Sequence, residues 1–178
     1  MQAILGFRTL TVLLSRSGAI AAIVILVLCV GLILAEIAMR TLFAMSTFVS
    51  TEFVAYGMAA MSFLALGESL DRGGLIRLSM IFSVLPARRR RALETLVCLM
   101  TLGAIFVPLW FFGRSVAINY AKGFTSGTIS NMPLWIPEFG MWIGILIFWL
   151  RLLSYGLLVA AGVEQVDLEK STKIMGSD

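Results

Sequence analysis

The sequence contains no histidine. That removes the usual proton shuttle at neutral pH and the commonest metal-binding nitrogen. Charge is also scarce. Asp, Glu, Lys and Arg make up 13% of the chain, against about 25% in a soluble domain. Such a composition excludes a disordered, highly charged chain and argues against a cytosolic enzyme. There are two cysteines, Cys29 and Cys98, and both lie inside apolar runs. A disulfide-stapled secreted domain is therefore excluded, and the two thiols read as small buried hydrophobes. No Walker loop and no Gly-x-Gly-x-x-Gly occurs; Gly57, Gly67, Gly73 and Gly74 fit no phosphate-cradling pattern. Glu68 and Asp71 read as a solvated helix terminus rather than a metal site. No catalytic constellation assembles, so neither enzymatic activity nor a cofactor is expected.

What is abundant is apolar surface. Hydrophobic residues reach 60%, above the roughly 45–50% of soluble domains. The excess sits in four runs, each about as long as a bilayer is thick. The spacing predicts an all-α integral membrane protein with spans over 17–39, 49–70, 93–113 and 137–163. The first run, uncharged over 18–35, is too long for a signal-peptide core and lacks a convincing cleavage site, so it reads as an uncleaved span. Ser50 and Thr51 are N-cap candidates for the second span, with Glu52 in its first turn. Pro108 stands where it would kink the third. Pro137 and Glu138 suit the first turn of the fourth. Trp135, Trp142 and Trp149 are seven apart and share one helix face, with Trp135 suited to an aromatic belt.

Basic residues orient these spans. Arg8 and Arg16 precede the first span. Arg72, Arg77 and the block Arg88, Arg89, Arg90 and Arg91 lie between the second and third. Lys170 and Lys173 follow the fourth. Only Arg40, Arg114 and Lys122 fall on the other side. The positive-inside rule places both termini and the middle loop in the cytoplasm. This positional logic explains the net charge of +4 without nucleic acid. Within the middle loop, Leu75, Leu78, Ile81, Phe82 and Leu85 recur at spacings of three and four. They predict a short amphipathic interfacial helix over 74–85, lying on membrane lipids. The loop between the third and fourth spans is polar and turn-prone through Gly123, Thr125, Ser126, Gly127, Thr128 and Ser130.

Ionisable groups inside spans carry a functional hypothesis by default. Glu36 and Arg40 are four apart and can pair on one helix face; the sharper alternative makes Glu36 a coupling carboxylate. Glu68 and Arg151 reach similar depths on the second and fourth helices and could form a structural ion pair.

Several segments together resemble the DctQ-like family, the small permease subunit of tripartite ATP-independent periplasmic (TRAP) transporters. Thr51-Glu52-Phe53 with Tyr56 opens the second span in that family's manner. Gly74-Leu75-Ile76-Arg77-Leu78 and Leu85-Pro86 match its next segment, with Leu75 where the pattern usually has histidine. Ser126 followed by Met132-Pro133-Leu134-Trp135 resembles its outer loop, and Gly144 and Arg151 fit its fourth span. The resemblance covers roughly residues 15–163. It implies a non-catalytic subunit in the bacterial inner membrane, joined to a large permease subunit. A periplasmic solute-binding protein would deliver an organic acid, and an ion gradient would drive uptake. Lys122, Ser126, Pro133 and Trp135 would then face the binding protein as a docking surface. The competing readings are a self-sufficient four-helix exporter using Glu36 and a membrane head-group transferase. The latter would need a cluster of Asp, His or Ser that the sequence does not offer.

Overall fold

A computed structural model describes residues 2–44, 49–71, 87–128 and 130–161. They form four helices: α1 (Gln2–Phe43), α2 (Ser50–Asp71), α3 (Ala87–Lys122) and α4 (Trp135–Ala161). Each is long and apolar enough to cross a membrane. The described residues contain no strand, only an isolated antiparallel bridge between Thr125 and Pro133. The interfacial helix expected over 74–85 lies outside the described residues.

Two helices overrun the spans that charge delimits. α1 has 42 residues and is about 63 Å long at 1.5 Å per residue, roughly twice the hydrocarbon core. Arg8 and Arg16 precede the charge-free run, but arginine is a good helix former and the helix runs through both. α3 continues past Arg114 to Lys122 because nothing breaks it before Gly123, whose φ is +63°. Pro108 lies inside this helix without ending it. The start of α2 also differs from expectation. The Val49 carbonyl accepts from the Glu52 and Phe53 amides at 3.1 and 3.2 Å, so Val49 occupies the cap position. The Ser50 hydroxyl instead donates to Glu36 Oε2 on α1 at 2.7 Å.

The fourth helix is the centre of the bundle. Half of the spanning window of α4 is buried, against 11% of that of α3. α4 packs on all three other helices, α1 pairs with α2, and α3 rests chiefly on α4. Small residues let these axes approach. Thr11, Ser15, Gly18 and Ala22 form the buried stripe of α1. A β-carbon added at Gly144 would stand 2.5 Å from the Phe63 carbonyl carbon and 2.7 Å from the Leu64 nitrogen. The α2–α4 crossing therefore has backbone against backbone. One buried cluster, Ala22, Leu64 and Ile147, joins α1, α2 and α4. Another, Leu70, Cys98, Phe148 and Leu152, joins α2, α3 and α4. Cys98 is buried and Cys29 half-buried, and neither is in a disulfide.

The outward faces stay apolar. Ile20, Val27 and Leu34 on α1, and Met100, Val107 and Trp110 on α3, are each more than 60% exposed. Apolar surface of this extent needs lipid or another protein against it.

Candidate functional site at the loop end

The polar chemistry gathers at the end of the bundle where α3 turns into α4. Gly123 ends α3 in a left-handed conformation, and the Phe124 amide bonds back to the Asn119 carbonyl at 3.2 Å. This is a Schellman-type stop, which glycine permits without a β-carbon clash. The chain then doubles back on itself. The Ser126 amide donates to the Met132 carbonyl at 2.9 Å and the Leu134 amide to the Phe124 carbonyl at 3.1 Å. Gly127 and Asn131, at φ +62° and +45°, supply the reversal.

This fold brings three hydroxyls together over α2. Ser126 Oγ lies 2.7 Å from Thr128 Oγ1, which lies 3.1 Å from Ser130 Oγ. Glu52 Oε2 accepts from Ser130 at 2.5 Å and also from Thr128. Its other oxygen accepts from Tyr56 at 3.1 Å, one turn along α2. A carboxylate is acceptor-only, so its hydroxyl partners act as donors and pin the loop to the start of α2.

Two more carboxylates work the same way. Glu36, buried to 9% exposure, accepts from Arg40 Nε at 3.0 Å and from Ser50 at 2.7 Å. It ties α1 to α2. Glu138 accepts from Ser115 Oγ at 3.1 Å and from Asn119 Nδ2 at 2.7 Å, tying α4 to α3. Both oxygens of all three carboxylates are thus engaged with the chain itself. Among the described residues, no three His, Cys, Asp or Glu side chains come together as a metal site. The arrangement does structural work: it fastens helix ends.

The residues considered for docking fall in two classes. Lys122 is exposed, with its Nζ 5.6 Å from the centre of the exposed Phe124 ring. Ser126, Pro133 and Trp135 are engaged within the chain. Ser126 joins the hydroxyl cluster, Pro133 forms the bridge to Thr125, and Trp135 meets the Tyr120 ring edge-on at 5.5 Å. Arg88, Arg89, Arg90 and Arg91 belong to the first turns of α3. Arg151 is buried on α4, and Glu68 lines a groove between α1 and α2. Sequence spacing alone missed Ser115 and Asn119, although their four-residue separation already placed them on one helix face.

The tryptophans of α4 face α3. Trp135 meets Tyr120, Trp142 lies against Gly113, and Trp149 packs on Phe106 at 6.4 Å between ring centres. Trp149 Nε1 also donates to the Leu102 carbonyl at 3.2 Å. Each step of seven up α4 is matched by seven down α3, an antiparallel register that holds the two helices along their length. Trp142, Trp149 and Phe106 are therefore contacts within the chain and not solely surface for lipid or a partner.

No curated protein matches the chain. A family model does, that of the DctQ component of tripartite ATP-independent periplasmic transporters, over residues 29–158. That stretch takes in the last third or so of α1, the whole of α2 and α3, and nearly all of α4. A multi-pass bundle of four apolar helices, knitted at one end by its own carboxylates, belongs to the DctQ family of TRAP transporter components.

Proposed function

We propose that this chain is the small, non-catalytic membrane subunit of a TRAP transporter. It braces a large permease subunit during ion-gradient-driven uptake of an organic acid delivered by a periplasmic binding protein. The observation that carries this reading is the division of the surface. The acids at the loop end are all engaged in holding the bundle together, while the outward faces of α1 and α3 are broad and apolar. A chain so built offers rigidity and area rather than a polar pathway. The exporter alternative needs an available Glu36, and both of that carboxylate's oxygens are held by Arg40 and Ser50.

Co-expression with the large subunit tests the proposal. The two chains are expected to co-purify, and uptake in liposomes should require both together with the binding protein. Full uptake by this chain alone would overturn it. Orientation follows from the basic residues, with the loop end outside the cell. Reporter fusions after Asp178 and within the four-arginine block should read cytoplasmic, and a fusion at Gly127 periplasmic. A periplasmic reading at the arginine block would reverse the topology.

A further inference from the structure

α3 carries basic residues at two levels. Arg91 and Arg114 are twenty-three residues apart on one continuous helix, about 35 Å at 1.5 Å per residue. That is the hydrocarbon thickness plus a few ångströms, so the two arginines lie at opposite headgroup layers. The level of Arg114 is fixed a second way. Its neighbour Ser115 bonds Glu138 in the first turn of α4. Arg114 is exposed and, among the described residues, has no hydrogen-bond or ion-pair partner. The two other basic side chains at this end are occupied, Arg40 by Glu36 and Lys122 by the Phe124 ring.

Directly inward of Arg114, toward the bilayer centre, lies a groove of about 520 Å³ between α3 and α4. Phe106, Leu109, Trp110, Gly113 and Trp142 line it, with Arg114 as its single charged member. Gly113 shapes it, because a β-carbon there would come within 2.9 Å of Trp142 Nε1. One cation at headgroup level above an aromatic, aliphatic trough has the polarity of a glycerophospholipid. A phosphodiester meets the guanidinium, and an acyl chain follows the trough toward the bilayer centre.

We propose that the α3–α4 groove is a phospholipid site in the leaflet at the loop end, with Arg114 as the phosphate ligand. This rests on the chain crossing the membrane and not on its role as a transporter subunit. The shared register of tryptophans along α4 makes the trough a fixed shape, which favours one retained lipid over a loose annulus.

Native mass spectrometry of the delipidated full chain in detergent tests it. The probes are phosphatidylglycerol and a diacylglycerol with the same acyl chains. The unmodified chain and Arg114→Lys should retain one phosphatidylglycerol, and diacylglycerol should wash off. Arg114→Gln should weaken retention by about tenfold, the order of one charge-assisted contact. Arg89→Gln, at the other end of α3, should leave it intact. All variants must first match the unmodified chain in helicity and elution. Equal retention of diacylglycerol would overturn the proposal, as would undiminished binding by Arg114→Gln or an equal loss in Arg89→Gln. A variant that binds lipid normally but fails to join the large subunit would assign Arg114 to a protein contact instead.

Discussion

Gly144→Val will prevent recovery of a monodisperse bundle, and Gly144→Ala will destabilise it by about 1–3 kcal/mol. The reason is what the new β-carbon meets. It would lie 2.5 Å from the carbonyl carbon of Phe63 and 2.7 Å from the nitrogen of Leu64. These are backbone atoms in the middle of α2, so no rotamer change relieves the clash. The helices must separate, and the adjoining contacts of Leu64 and Ile147 with α1 loosen as they do. Unfolding in detergent, followed by the fluorescence of the four tryptophans, measures the loss. Gly103→Ala is the matched control. It is also mid-helix, but an added β-carbon there meets nothing within 4 Å. It should leave stability unchanged or raise it. Equal destabilisation by the two alanines would mean that the close crossing is not what Gly144 provides.

Glu52→Ala will release the loop over 123–134 without unfolding the bundle. Glu52 accepts from Thr128, Ser130 and Tyr56, and among the described residues no other carboxylate takes the loop hydroxyls. Removing it leaves three hydroxyls to find water and frees the reversal from α2. Hydrogen exchange at the Ser126 and Leu134 amides, which close the loop, should accelerate several-fold, while the amides in the middle of α4 keep their protection. Tyr56→Phe should have a smaller effect, since it removes one donor and touches Oε1 alone. Glu52→Gln should fall between, because its amide keeps one acceptor oxygen. Unchanged protection at Ser126 in Glu52→Ala would show that the loop's own backbone bonds suffice to hold it.

The four long apolar helices were legible because a bilayer imposes a length on every charge-free run. The helix ends were not, because charge ends a span without ending a helix. Arg16 and Arg114 end the charge-free runs, whereas Gly123, with its positive φ, stops α3. The loop's turn chemistry was plain in its glycines and hydroxyls. Its anchor was not, since Glu52 precedes Thr128 by 76 positions and no local period records a pairing that distant. The tryptophan spacing showed that three rings share a face. Which helix that face meets depended on the α3–α4 register, set by Gly113 and Phe106, and neither residue signals it alone. The Glu36–Arg40 spacing did record a contact, because four residues along a helix bring side chains together directly.

The central position of α4 has a consequence for how the molecule is made. Translation delivers these four helices in order, and the one that contacts the other three comes fourth. α1 and α2 can close as a hairpin while the ribosome is still reading α3. α3 then waits in the membrane without its principal neighbour, its Gly113 notch and Phe106 open to lipid, until Trp142 and Trp149 emerge to fill them. The loop hydroxyls find Glu52 already in place on the earlier hairpin. Assembly thus reduces to the docking of a second hairpin onto a first. A chain interrupted before Trp135 would leave a lone third helix in the bilayer, an exposed and recognisable substrate for membrane proteolysis.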